Sequence, residues 1–379
     1  MSGVRPHGSD PIRTLSVVAG LAVGGCLTWN VSNVGAVADP LAESYGVSLA
    51  AIGLLTTALF VTHLAAQLPA GRGADRFGAR SVALVAIGAA VAGNLLLLVD
   101  NVFAIALLGR AIVGVGSGAG FVAGLDLVRA GGGGSVLQGL YGGATMVGGG
   151  LALMIVPPLT DATGWQVPYW SAVLLALAAA VPTLAATGAP RVGHAGQWVV
   201  RDGSLLPLGI LQAATFGLAV IAGNWAVPLL ERQGASSAAA GLAGGLILFI
   251  GVVTRPAGGL LAESVRSRRL VALALVGVSG GAALLALGGP FVVSATGALV
   301  LGLAAGLPFA VIFAAAQRAR PDAPAAAIAL VNACAILTIL VGTPLAGLAF
   351  ELPSDGRLAF GVIAALSASA LVVLRRSRL

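Results

Sequence analysis

Twelve long apolar runs alternate with short polar breaks along the chain. They fall at roughly 14–38, 47–69, 81–99, 102–126, 136–160, 166–187, 205–229, 236–257, 270–288, 291–315, 324–350 and 358–374. Each has about 18 residues or more with few charges, the length a helix needs to cross a hydrocarbon core about 30 Å thick. The pattern predicts an all-α polytopic membrane protein of about 12 transmembrane helices. The longest polar stretch, 188–204, separates a six-helix bundle over 14–187 from a second over 205–374. Short tails remain at 1–13 and 375–379.

The breaks are rich in Arg, and the chain has no Lys. With the N-terminus inside, Arg5, Arg13, Arg72, Arg76, Arg80, Arg129, Arg191, Arg201, Arg266, Arg268, Arg269, Arg318, Arg320, Arg375, Arg376 and Arg378 share one side, and only Arg232 and Arg357 the other. Short, positively charged loops stay in the cytoplasm. Both termini are therefore expected there, in a multi-pass protein of the plasma membrane. The net charge of +7 is spread through loops, not clustered on a soluble face, so no nucleic-acid partner is expected. A hydrophobic content of 58% and a mean hydropathy of +1.02 exclude a soluble domain. The 56 Gly follow no Gly-X-Y period, which points to close helix packing in lipid. Cys26 and Cys334 both lie inside predicted helices, so no disulfide framework is expected.

The chain also repeats itself. Gly71-Arg72-Gly73-Ala74-Asp75-Arg76-Phe77-Gly78-Ala79-Arg80 is a charged turn between two apolar runs. It returns, altered, 188 residues later as Gly259-Leu260-Leu261-Ala262-Glu263-Ser264-Val265-Arg266-Ser267-Arg268. The same register aligns Pro40 with Pro228, Gly53 with Gly241, Gly114 with Gly302, Gly118 with Gly306 and Phe121 with Phe309. Six spans separate the copies, so both halves have the same orientation. Two parallel halves with a site between them is a transporter design.

These residues carry a family likeness. The 71–80 turn resembles the loop signature Gly-x-x-x-Asp-Arg-x-Gly-x-Arg of the major facilitator superfamily. Gly109-Arg110-Ala111-Ile112-Val113-Gly114-Val115-Gly116 is similar to its second signature, an Arg followed by spaced glycines. The stretch Asn30 to Arg80 looks most like the cyanate-permease and nitrate/nitrite-type anion carriers, although the second span lacks the Arg of nitrate carriers. Gly148-Gly149-Gly150 departs from the Gly-Pro-x-x-Gly-Gly signature of drug antiporters. The resemblance implies that the third, sixth, ninth and twelfth spans are peripheral, and these are the spans nearly free of polar residues. It also implies a cytoplasmic latch of Gly71, Asp75, Arg76, Gly78 and Arg80, with Glu263 and Arg268 in the second copy and Asp126 joining from the fourth span. Ordinary topological charge is the plainer reading of the same residues.

Arg110 stands out among the candidate site residues. It lies about seven residues into its span, roughly 10 Å below the outer interface. A charge at that depth normally faces a cavity or a partner, although a snorkelling Arg bonded to carbonyls fits too. Its repeat mate is Ala298, so the fold itself does not require the charge. No Asp or Glu occupies the middle of any span. An organic-cation carrier would want one; a buried Arg instead favours an anionic or polar solute, whose oxyanions fit its fork of donors. Asn30 and Asn33, on one face of the first helix, Asn224 and Trp225 on the seventh, and Asn332 on the eleventh are candidates to orient that solute, or to bond neighbouring helices. Gln212 and Gln138 rank below them. His63 is the candidate for proton coupling, against a neutral His bonded to a neighbouring helix. Arg255 is expected to snorkel to the inner end of its span. Gly114, Gly116, Gly118 and Gly120 form two overlapping Gly-x-x-x-Gly pairs that suit helix packing.

No phosphate loop, metal cluster or catalytic set occurs, and the Gly131–Gly134 run lacks the Lys and strand of a phosphate-binding loop. No cofactor and no enzymatic activity are expected. The reading is a monomeric secondary transporter, embedded in lipid, that moves a small polar, anionic solute by rocker-switch alternating access, with a proton as candidate partner. The alternatives are proton-coupled efflux of drugs or metabolites, and a non-transporting membrane sensor or scaffold.

Overall fold

The computed structural model describes residues 11–132, 134–187, 203–377 and 379. Most of the 188–204 linker therefore lies outside the described residues. Among the described residues, twelve helices are long and apolar enough to cross a membrane: α1 Arg13–Ser32, α2 Ala51–Phe77, α3 Ala79–Leu97, α4 Phe103–Ala130, α5 Ser135–Thr163, α6 Val167–Ala185, α7 Leu206–Arg232, α8 Ala239–Ala262, α9 Ser267–Leu287, α10 Phe291–Ala319, α11 Pro324–Leu348 and α12 Arg357–Leu374. No strand occurs among the described residues.

The helices outrun the apolar runs where charge begins. The second run was expected to end near residue 69, but its helix continues through Pro69, Arg72 and Arg76 to Phe77. Hydropathy measures the part that lipid tolerates, whereas backbone hydrogen bonds carry a helix on past it. The charged turn thus shrinks to Gly78 alone, whose φ of +90° suits a residue without Cβ. At the opposite end the first expected span stops early. Its helix ends at Ser32, and a single helical turn, Gly35–Val37, leads to a short helix, Ala38–Tyr45.

Glycine sets how closely the helices pack. A Cβ on Gly114 or Gly118 would collide with α2 at Leu59, Thr62 and His63. One on Gly116 would strike α3 at Ala86, and one on Gly120 would strike Leu27 of α1. The four glycines therefore open three faces of α4, and α4 is buried along most of its length. With no hydrophobic drive between helices in lipid, such close approach is what holds them together.

The two halves meet at one end, the end that carries the Gly78 turn. Gly71 of α2 leaves no room for a Cβ against Ala325, Ala326 and Ala329 of α11. On the other flank, Gly139 and Gly143 of α5 lie against Arg255, Pro256 and Val252 of α8, and Gly259 lies against Ser135 and Val136. These contacts extend as far as Phe249 against Gly150, about midway along both spans. Beyond that level α11 uncovers Leu337, Val341, Leu345 and Leu348, each at least half exposed, whereas Pro324 to Ala329 are buried on every side.

Candidate functional site

Three helix irregularities shape the centre. α7 contains a π-helical turn, Ala213–Gly217, a distortion that often marks functional sites. α10 breaks at Leu307 and Pro308, because Pro has no N–H to give the preceding turn. α8 is interrupted at Ile250, two turns before Pro256. The first two irregularities bring Phe216 and Phe309 to either side of Arg255.

Arg255 is 3% exposed and spans the two halves. From α8 its Nη1 donates to Gly142 O of α5 at 3.1 Å and to Thr145 Oγ1 at 3.0 Å. Its Cζ lies 4.7 Å from the Phe216 ring and 4.5 Å from the Phe309 ring, cation–π geometry on both counts. Gly142 permits this, since a Cβ there would strike both Phe309 and Arg255. The snorkelling expected of Arg255 is therefore corrected: the side chain runs sideways into the partner half. The aromatic layer continues through Phe313, whose ring centroid is 4.9 Å from Phe309 and 6.1 Å from Phe121 of α4. Tyr141 joins at 5.8 Å from Phe121 and donates its hydroxyl to Phe121 O at 2.7 Å.

Arg110 is placed differently. It is wholly enclosed within the first half, and its Nη2 donates to Asn30 O at 2.9 Å. Nη1 reaches Asn33 Oδ1 at 3.4 Å, and Nε reaches Leu55 O at 3.5 Å. Asn30 accepts from Asn94 of α3 at 2.7 Å, and Asn33 donates to Pro168 O of α6 at 2.7 Å. Both asparagines thus point toward peripheral helices. Trp29 follows them, donating to Ser171 Oγ at 3.2 Å. The structure brings Arg110, Asn30 and Asn33 together as one buried knot, and none of them opens on the space between the halves.

Asn224 is exposed. Its neighbours define the sides of α7: Gly223 packs on Leu248 of α8, Ile221 on Gly342 of α11, and Ala222, Ala226 and Leu229 are buried. Asn224 occupies the remaining, open side of α7. Trp225 instead anchors α7 to α11 through Nε1 to Thr343 O at 2.9 Å, and stacks on Phe350 at 4.9 Å. Asn332 is 2% exposed and stands two turns from Ala325 on the α2-facing side of α11. His63 sits 3.1 Å from Ser117 Oγ through Nδ1, and its buried Nε2 has no partner among the described residues. Gln138 donates across the halves to Gln317 Oε1 at 3.0 Å.

The loop residues divide by task. Asp75 is 4% exposed and accepts from the N–H groups of Ala325 and Ala326, both at 3.0 Å. A carboxylate at a helix N-terminus satisfies orphan donors and meets the positive end of the dipole. This cap joins the halves. Arg80 does not reach the second half, and the latch partner that the resemblance implies for it is corrected here. It donates to Leu184 O at the C-terminus of α6, which leaves carbonyls without helical partners. Its repeat mate Arg268 does the same in its own half, to Arg375 O and Ser377 O beyond α12. Asp126 pairs with Arg129 one turn along α4, within the first half. Arg76 is exposed and lies over its neighbour Phe77. Glu263 occupies the matching place just past the end of α8, but its side chain lies outside the described residues.

Comparison with known proteins bears on this architecture. Residues 20–321 match the Major Facilitator Superfamily. The chain belongs to that superfamily. Among solved structures it is similar to the E. coli fucose:proton symporter, with a TM-score of 0.76 and 14% identity over 97% of this chain and 99% of that one. It is also similar to a proton:xylose symporter solved with 6-bromo-6-deoxy-D-glucose, with a TM-score of 0.80 and 12% identity over 97% and 96% of the two chains. A human organic anion transporter matches with a TM-score of 0.69 and 16% identity over 98% and 100%. At such identities the likeness is one of fold. No curated protein sequence matches significantly. Membership of that superfamily makes this chain a membrane transport protein.

Proposed function

We propose that this chain is a secondary transporter for a small polar, negatively charged solute, working by alternating access in the cytoplasmic membrane. The carrying observation is Arg255, a buried cation between the halves, without a carboxylate among its contacts. Its bonds to α5 belong to the conformation closed at the Gly78 end, which the arginine-rich loops assign to the cytoplasm. Rocking the halves apart there would release Nη1 from Gly142 and Thr145. The guanidinium would then be free to hold an anion on its way inward. Asn224 and Asn332 line the route, and Trp225 holds α7 against α11. Arg110, Asn30 and Asn33 act behind them, fixing α1 against α4. His63 is the coupling group if a proton travels with the solute, an idea that the proton symporters of the same fold support. The anion-carrier branch fits this reading through its solute charge.

The test is uptake into sealed vesicles containing the purified protein, with labelled small anions, sugars and organic cations offered in parallel. Uptake of an anion that is lost in Arg255→Gln, in protein that remains folded, supports the reading. Transport of organic cations at equal rates by both proteins would sink it and favour efflux.

A further inference from the structure

The centre holds a second set of polar groups that the reading above leaves unused. Gln67 of α2 is fully buried and Gln212 of α7 is 1% exposed. On each, both the amide nitrogen and the amide oxygen lack a hydrogen-bond partner among the described residues. Four unmet polar atoms in an apolar interior are costly, and native proteins keep few of them. Neither glutamine is needed for packing, which Leu or Met would serve.

Their positions match the site. Gln67 is the repeat mate of Arg255, 188 residues earlier, so the two occupy equivalent depths on opposite gates. Along α2 and α11, Asp75 meets Ala325 and Ala326, and Gly71 meets Ala325, Ala326 and Ala329. Continuing that antiparallel register by one turn brings Gln67 level with Asn332, whose side chain makes no hydrogen bond among the described residues. Gln212 lies one turn below Phe216, the ring that stacks on Arg255. Gly209, one turn below Gln212, packs on Val331 and Cys334, beside Asn332. One gate thus carries a guanidinium whose Nε and Nη2 make no hydrogen bond among the described residues, and the other carries carboxamides with open donors and acceptors.

We propose that these carboxamides recognise hydroxyl groups, and that the solute is a small hydroxylated carboxylate. Its carboxylate docks on Arg255, and its hydroxyls exchange hydrogen bonds with Gln67, Gln212 and Asn332. An amide supplies both a donor and an acceptor, as does a hydroxyl, so the two pair in either sense. A guanidinium held between two rings offers a fixed plane of donors to a planar carboxylate. A simple fatty acid would leave the amides unmet, and a neutral polyol would leave the cation unmet. This inference rests on the anion reading above.

The test is the melting temperature of the detergent-purified full chain against gluconate, butyrate and sorbitol, since a ligand that binds the folded state raises it by mass action. The readout is the ratio of half-saturating concentrations, butyrate over gluconate. A ratio of tenfold or more is expected in the parent, falling toward one in Gln67→Leu and Gln212→Leu. Gln67→Met and Gln212→Met serve if the Leu forms do not fold. A ratio near one in the parent, or a ratio that persists in the variants, overturns the proposal while the anion reading stands. If sorbitol binds as well as gluconate and Arg255→Gln changes neither, the anion reading has failed and the amide subsite remains.

Discussion

The first half and the boundary between halves each contain a buried arginine, and the two are bonded in different ways. Arg110 spends its donors on Asn30, Asn33 and Leu55, all in its own bundle. Arg255 spends its own on α5, in the other bundle, and lies between rings from α7 and α10. A bond inside one rigid body persists when the bodies rock; a bond between them must break. Burial is common to both residues, so burial alone does not mark a working residue. The relevant property is whether the partner moves with it.

This contrast is best broken at Arg110. Arg110→Leu is expected to reduce stability by on the order of 3 kcal/mol, because hydrogen bonds to a charged group contribute about 1.5–3 kcal/mol each. Melting in detergent measures it. An unchanged melting temperature with lost transport would move Arg110 from the scaffold to the site. Arg255→Gln also gives up two hydrogen bonds and so lowers melting, but its mark is transport, down more than tenfold in protein that is still folded, roughly 1.4 kcal/mol or more in the barrier.

Asp75→Asn sharpens the comparison at the boundary. Charge at a helix N-terminus contributes about 0.3–1 kcal/mol, up to about 2 when partly buried. Removing it should let the Gly78 end open more often. A cysteine at Asn224, in a background without Cys26 and Cys334, reports this as slower alkylation by an impermeant maleimide; an unchanged rate would show that Asp75 does not hold that end shut. Arg80→Ala should have the smallest effect, about 0.5 kcal/mol at a helix C-terminus. It should leave the alkylation rate alone, since Arg80 ties α3 to α6 within one half.

The sequence reveals depth better than direction. Twelve spans, the 188-residue repeat and the depth of Arg110 are all countable. Whether Arg110 faces a cavity depends on the rotation of α4, which is set by Gly114 and Gly118 against α2 and by Gly120 against α1. Arg255 was misjudged for the same reason: its closeness to the inner end was legible, its azimuth was not. Phe216 reaches it through a π-turn, and no residue type in Ala213–Gly217 announces that turn. One signal did exist. Gln67 and Arg255 are repeat mates, both long polar side chains at the same depth of mostly apolar helices, and that coincidence points to the centre.

The single-residue turn at Gly78 has a mechanical consequence. One residue spans at most about 3.6 Å, so α2 and α3 are hinged with almost no slack. Like the blades of scissors, they share the displacement of their joint and differ only in the angle they sweep. If the halves rock as proposed, movement at the Gly78 end drags α3 with α2 through the surrounding lipid. The viscosity of the membrane, and not only the chemistry of the solute, would then be part of what sets the pace.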